Sequence, residues 1–349
     1  MLKSWSLAAA LIAGSLTGCI GVSSDEQPVL SLYLENAAEY YDGGDFARAI
    51  QQWQKALDID PGNEKARLGQ TMGYYQLGRV NTIDAIKPLT DATERVDKLL
   101  NEDFDKDQWK VELAAALIHQ RWCELYDRKI RKITLDAEKG VPPDAKQLEA
   151  AKHEFAKHLD ISERAFKSVL AASEREPRDR LTCWLGLAII SAWKDDLESS
   201  LKYAQLYVDQ AIRSKKLWKD SAERYPKEKV IFDAKFTGAE MQECDLRELM
   251  GAVLVRLGRL DEAETQINLV IKMFPRRASA YLNRGILLEA RKEDDLARAD
   301  FRKFLAYTDL PETDPLILEA TKHLTEVETH LAAQEKIESE DKGPPPANR

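Results

Sequence analysis

An all-α chain of repeated helical hairpins with an extended central helical region is what this sequence predicts, and three observations predict it. Within residues 30–63, LSLYLENAAEYYDGGDFARAIQQWQKALDIDPGN, apolar residues recur at helical spacing in two runs separated by Gly43-Gly44-Asp45. The arrangement returns twice near the C-terminus, over 244–277 and 278–311. Between them, from Asp107 to about Ala137, Leu113, Leu117, Trp122, Leu125, Ile130 and Ile133 step by three to five residues as one long helix.

The chain opens with Met1-Leu2-Lys3, an apolar stretch from Leu7 to Leu16, and Leu16-Thr17-Gly18-Cys19. That is the layout of an export signal. The apolar stretch spans about ten residues, half of the roughly 20 that a helix needs to cross a bilayer. Leu16-Thr17-Gly18-Cys19 resembles the lipobox of bacterial lipoproteins. The resemblance implies diacylglycerol on the Cys19 sulfur, cleavage before Cys19 and acylation of its new amino group, and two or three acyl chains anchor stably. Ile20 in place of Asp after the cysteine implies, by likeness to enterobacterial lipoproteins, an outer-membrane protein facing the periplasm. Residues 1–18 are thus expected to be a signal peptide and 19–29 a lipidated tether.

The whole chain carries 51 Lys and Arg against 60 Asp and Glu, a net charge of −9. Removal of residues 1–18 deletes Lys3 and leaves −10. Duplex binding rests on neutralised phosphates, so nucleic acid is not an expected partner. The run Arg128, Lys129, Arg131, Lys132 reads as a solvated helix face. Once Cys19 is assigned to lipid, Cys123, Cys183 and Cys244 remain. An odd number cannot pair completely, and their spacing fits no zinc ribbon, so at least one buried free thiol is expected, with room for a single disulfide.

In the first hairpin one helix runs through Tyr33, Ala37 and Tyr40 and the other through Phe46, Ala49, Ile50, Trp53, Ala56 and Leu57; Pro61-Gly62 closes it. These positions resemble the tetratricopeptide repeat, a 34-residue helix-turn-helix: Tyr33, Ala37, Tyr40, Gly44, Ala49, Trp53, Ala56 and Pro61 stand at its characteristic sites, while Asn36 departs from the usual Leu. The small positions let paired helices approach and the aromatics fill the gaps between repeats. Gly251, Gly258, Ala263, Ile267 and Pro275 match in the 244–277 copy. Tyr281, Gly285, Ala297, Phe301 and Pro311 match in the next, where Lys292 replaces the turn glycine. The resemblance implies a right-handed helical solenoid.

Residues 64–100 begin as a further copy, with Tyr74 and Gly78 in place. Its second helix is displaced by about two residues and contains Pro88, which costs ~3 kcal/mol inside a helix, so a kink or a late start is expected. The long helix ends at Gly140-Val141-Pro142-Pro143-Asp144, with Asp144 placed to cap the next. Residues 107–175 read as a long helical hairpin, or as two irregular repeats with extended helices. Ala165, Val169, Ala172 and Pro177 recover the second-helix pattern; Trp184, Leu187 and Ala188 start a copy whose second half is not recognisable. Residues 30–100 are therefore N-terminal repeats, 101–243 a divergent helical region and 244–312 a C-terminal pair. The stripe Leu316, Ile317, Ala320, Leu324, Val327 and Leu331 makes 313–337 a capping helix, and 338–349, ending in Gly343-Pro344-Pro345-Pro346, reads as a disordered tail.

His153 and His158 are five residues apart, one too many for the zinc-binding HExxH pair, and lie about 140° apart around a helix. His323 and His330 share a face without ligand-spaced neighbours, and His119 lies beside the apolar seam of the long helix. Asp195-Asp196 and Asp294-Asp295 read as turn caps. No phosphate-binding glycine loop or nucleophile elbow is present. No enzyme activity, cofactor or metal is expected.

By resemblance, the first helix of each repeat lines a binding groove. Leu34, Ala38 and Tyr41 in the first repeat and Leu68, Met72 and Tyr75 in the second would form an apolar strip for a protein or peptide partner, although Leu34 and Leu68 can equally pack between repeats. Asp245, Glu248, Arg256 and Glu289 give the C-terminal groove a polar character. The function expected is a membrane-anchored periplasmic scaffold or adaptor for envelope, pilus or secretion assembly. The alternatives are an enzyme with its site in residues 101–243 and a passive envelope spacer.

Overall fold

The computed structural model describes residues 26–80, 84–102, 108–138, 141–171 and 177–341. Cys19 and the signal lie outside them. Among the described residues thirteen α-helices follow one another and no strand occurs. They are α1 Gln27–Asp42, α2 Phe46–Ile59, α3 Glu64–Val80, α4 Ile86–Leu100, α5 Gln108–Glu138, α6 Ala145–Ala171, α7 Pro177–Trp193, α8 Leu197–Arg224, α9 Lys229–Arg256, α10 Leu260–Met273, α11 Ala278–Ala290, α12 Asp294–Tyr307 and α13 Pro315–Asp341. The described residues form two compact units, one drawn from 26–130 and 145–190, the other from 131–144 and 191–341.

In the first unit the small-against-large rule sets the packing. Ala37, Ala49 and Ala56 are fully buried, and Trp53 fills the space beside them. A Cβ on Gly69 would lie 2.4 Å from the Trp53 ring, and one on Gly186 2.2 Å from Phe166, so α3 and α7 approach those rings only because both positions are glycine. Pro88 falls in the first turn of α4, where its missing N–H leaves no helical bond unmade, so the displaced repeat is resolved by a late start. The long hairpin is present as α5 and α6, with a Ser162 hydroxyl on α6 donating to the Ala116 carbonyl on α5 at 2.7 Å.

In the second unit the C-terminal pair has the same logic. Gly251 faces Ile267 and Gly285 faces Phe301 at distances a Cβ would violate. Ala263, Ile267, Ala297, Phe301 and Phe304 are buried in one core, which α13 closes through Ala320 and Val327. The first helix of this pair begins at Lys229, fifteen residues before the recognisable repeat, and α8 is equally long. The tail reading meets helix as far as Asp341; 342–349 lie outside the described residues.

One turn recurs in both units. Asp45, Asp196, Arg259 and Glu293 each donate a backbone N–H to the carbonyl five residues earlier, at 2.8–2.9 Å. The residue before each is left-handed: Gly44 at φ 82°, Gly258 at 73°, Asp195 at 62° and Lys292 at 61°. This is the Schellman helix ending. Loss of the glycine at Lys292 did not change the turn; the left-handed backbone is held there in spite of the side chain. Asp45 and Asp196 also cap the following helix, accepting from Arg48 N at 3.1 Å and Ser199 N at 3.2 Å.

Candidate functional site

The strip expected on the N-terminal repeats is divided by the fold. Tyr41, Leu68, Met72 and Tyr75 are buried, whereas Leu34 and Ala38 are half-buried. The Tyr41 ring packs against Phe46 and Trp53 with centroids 5.3 and 5.5 Å away, and its hydroxyl accepts from Gln76 Nε2 on α3 at 3.2 Å. Burial raises the pKa of both phenols, that of Tyr75 to about 12. Four of the six residues are thus buried, Tyr41 against Phe46 and Trp53 of α2, which corrects their reading as presented surface. Helical periodicity identified the face but not the neighbouring helix that covers it. Leu34 and Ala38 continue that face, one turn apart, toward solvent.

The polar residues of the C-terminal face pair with residues of neighbouring segments. Arg277 reaches Asp245 at 2.5 Å and Glu248 at 2.7 Å, and the Ser279 hydroxyl donates to Glu248 at 2.7 Å. Burial raises the Glu248 pKa against the pull of Arg277. Arg256 donates to the Ala192 carbonyl and to Asp195. Glu289 lies 2.7 Å from His323 Nδ1. Asp245, Glu248, Arg256 and Glu289 therefore hold helices together as well as giving the face its charge.

A polar layer within the long hairpin had no sequence signal, because its partners are 39 residues apart. His119 Nδ1 on α5 lies 2.7 Å from His158 Nδ1 on α6, and both residues are buried. Trp122 and Tyr126 stack on the His158 ring, with centroids 5.5 and 5.8 Å away, and Trp122 Nε1 donates to Thr93 Oγ1 at 2.9 Å. His119 Nε2 stands 4.0 Å from Asp97 and His158 Nε2 3.8 Å from Glu154. Burial lowers the His119 pKa to about 3, helped by His158 and Lys157, and that of His158 to about 4. Both rings are neutral at pH 7, one donating and one accepting at Nδ1. His119, beside the apolar seam, is packed and buried. His158 pairs with it rather than with His153.

Near the C-terminus, His323 and His330 meet different carboxylates: His330 Nδ1 is 3.9 Å from Asp294. Glu289, His323 and Glu326 place one ligand atom each within 4.8 Å of one another, the one such trio among the described residues. His323 stacks on Phe301, and its contact with Glu289 is that of a charge-assisted pair when the imidazole is protonated. Cys123, Cys183 and Cys244 are all buried thiols. Burial pushes the Cys123 and Cys244 thiols up to about 12.

Two surface clefts stand out among the described residues. One, of about 180 Å³, lies between α3 and α4 and mixes Arg67, Arg95 and Lys98 with Asp91 and Glu94. The other, of about 310 Å³, is lined by Leu201, Met250, Leu254, Arg259 and Glu262 among others. Both are at or below the small end of ligand pockets and carry charges of both signs.

No curated protein matches the chain significantly. Among solved structures, it is similar to a tetratricopeptide repeat protein from Parabacteroides merdae (17% identity, 84% of this chain, 98% of that one, TM-score 0.39). It is similar also to the Cut9–Hcn1 hetero-tetramer of APC/C (13% identity, 91% and 46%, TM-score 0.48). A third is the TPR2AB-domain:pHSP90 complex of yeast Sti1 (14% identity, 86% and 99%, TM-score 0.24). Residues 249–312, the segment holding the Gly251–Ile267 and Gly285–Phe301 contacts, match the family model described as tetratricopeptide repeat.

Proposed function

We propose that this chain is a lipid-anchored envelope scaffold that binds protein partners through the first helices of its repeats and carries out no chemistry. The observation that carries the reading is the tetratricopeptide match over 249–312, joined to small-against-large packing of the same kind in both units. Such hairpin stacks expose continuous faces that suit extended or helical segments. In the N-terminal repeats the accessible part of that face is Leu34 and Ala38. Attachment through Cys19, an outer-membrane position facing the periplasm and a place in envelope, pilus or secretion assembly complete the proposal, and Leu16-Thr17-Gly18-Cys19 motivates the anchor.

Two experiments test its parts separately. Mass spectrometry of the mature N-terminus should find an acylated Cys19, and Cys19→Ala should release the protein from membranes; a free, unmodified N-terminus elsewhere refutes the anchor. Photo-crosslinkers placed at Leu34 and Ala38 in intact cells should yield a discrete protein adduct absent from crosslinkers on the exposed faces of α2. Identical patterns from both places refute the groove.

A further inference from the structure

We propose that the end of the α8–α9 hairpin is a second, protein-encoded membrane contact, which inserts into the surface of an anionic lipid bilayer. At 28 residues each, α8 and α9 are twice the length of α10, and their buried residues lie between Ser200 and Ala211 on α8 and between Glu243 and Leu254 on α9, with Ala222 the one exception. No residue from 223 to 242 is buried. The distal end exposes four large apolar side chains: Val230 is 81% exposed, Leu217 56%, Ile231 55% and Tyr225 51%. Tyr225, Val230 and Ile231 all lie within about one turn of the Pro226–Glu228 connection, so they crown the hairpin instead of lining its side.

The charge of this end opposes that of the chain. Residues 213–236 contain eight Lys and Arg against four Asp and Glu, net +4 in a protein of net −9. Behind the apolar crown, Trp218 and Phe232 stack with centroids 6.2 Å apart, and Lys235 Nζ sits 4.6 Å over the indole. Aromatic rings with flanking lysines suit the headgroup level of a bilayer, where ring bodies enter the acyl boundary and ammonium groups remain with lipid phosphates. Each basic residue held at an anionic surface strengthens binding by roughly fivefold, and a few inserted apolar side chains add to it.

The occupant follows from shape as well as charge. Two helix ends side by side make a face of about 20 by 10 Å, roughly 200 Å², a quarter of the roughly 800 Å² that each partner gives to a stable protein complex. A bilayer needs only a few crowning side chains. The inference does not rest on acylation of Cys19 or on any partner in the groove.

The test uses the full chain carrying Cys19→Ala, which removes the acylation site, and Glu228→Cys labelled with an environment-sensitive fluorophore. The three native cysteines other than Cys19 are buried, so the label is confined to the hairpin end. Extruded vesicles of phosphatidylglycerol and phosphatidylethanolamine should shift its emission to the blue, and pure phosphatidylcholine vesicles should need at least about tenfold more lipid for the same shift. Lys216→Glu, Lys219→Glu and Lys227→Glu together should abolish the shift, as should Val230→Asp with Ile231→Asp, with helicity by circular dichroism unchanged. The same label at Asp261→Cys on α10 should stay in water, which separates hairpin insertion from binding through the leader. The proposal is overturned if the label at 228 does not shift with anionic vesicles, or shifts equally in the charge-reversed protein. It is also overturned if the shift grows with protein concentration in the absence of lipid, which would make this end a contact between copies.

Discussion

His119 Nδ1 and His158 Nδ1 lie 2.7 Å apart in the centre of the long hairpin, a separation only one proton can occupy. Two imidazolium rings would face each other N–H to N–H, so double protonation must break the contact. Both folded pKa values, about 3 and about 4, lie below the ordinary 6.5 of histidine. Their contribution to stability is therefore complete above pH 6.5 and is lost as pH falls toward 4, because the unfolded chain takes up protons that the folded one excludes. Each site can contribute up to ~1.4 kcal/mol per pH unit over that window. Thermal melting should fall steeply between pH 6.5 and 4.5, and His119→Gln with His158→Gln should flatten that fall; an equal slope in the variant would show that the carboxylates Asp97 and Glu154, or groups elsewhere, govern it.

Lys292 occupies a left-handed position, φ 61°, where Gly44 and Gly258 stand in the equivalent turns. A side chain there costs about 1 kcal/mol relative to glycine. Lys292→Gly should stabilise the protein by that amount, read as a rise of roughly 2 °C in Tm. Asp195→Gly should gain less, since Asp tolerates this backbone and Asp195 also accepts from Arg256 at 2.7 Å.

Tyr41→Ala should unfold the N-terminal repeats early. The ring is buried against Phe46 and Trp53, and its loss leaves Gln76 Nε2 without its phenol partner, so the cost is about 3 to 5 kcal/mol. Tyr41→Phe should cost about 1 kcal/mol by removing the hydrogen bond alone. Chemical denaturation of the two variants separates packing from polar contributions.

Cys123, Cys183 and Cys244 should be unreactive in the folded protein. All three are buried, and the Cys123 and Cys244 thiols are pushed up to about 12 by burial, so little thiolate exists at pH 8. Titration with a thiol reagent should count none of them natively and all three in denaturant, without prior reduction. A shortfall of two in denaturant would reveal a disulfide.

What could be read in the sequence and what could not have a common physical origin. Ala37, Ala49, Trp53 and Gly44 announce a hairpin because close helix packing and a left-handed turn each restrict residue type locally. The extent of α5 was legible for the same reason: its apolar stripe is continuous from Leu113 to Ile133. The distal part of α9 was not, because Val230 and Ile231 are exposed and leave no stripe on a buried face. His119 and His158 are individually unremarkable and acquire meaning only when two helices meet. The same limit affected Tyr41 and Tyr75, whose spacing marks a face while its covering helix is set by tertiary packing.

The scaffold reading is tested most directly by the affinity of a partner identified through crosslinking at Leu34 or Ala38. Leu34→Asp with Ala38→Arg changes two half-buried positions of α1 and leaves Tyr41, Trp53 and Ala49 in place. Titration calorimetry should show Kd raised at least tenfold, about 1.4 kcal/mol, with the melting curve within a few degrees of the parent. An unchanged Kd in a protein that melts normally would contradict the account.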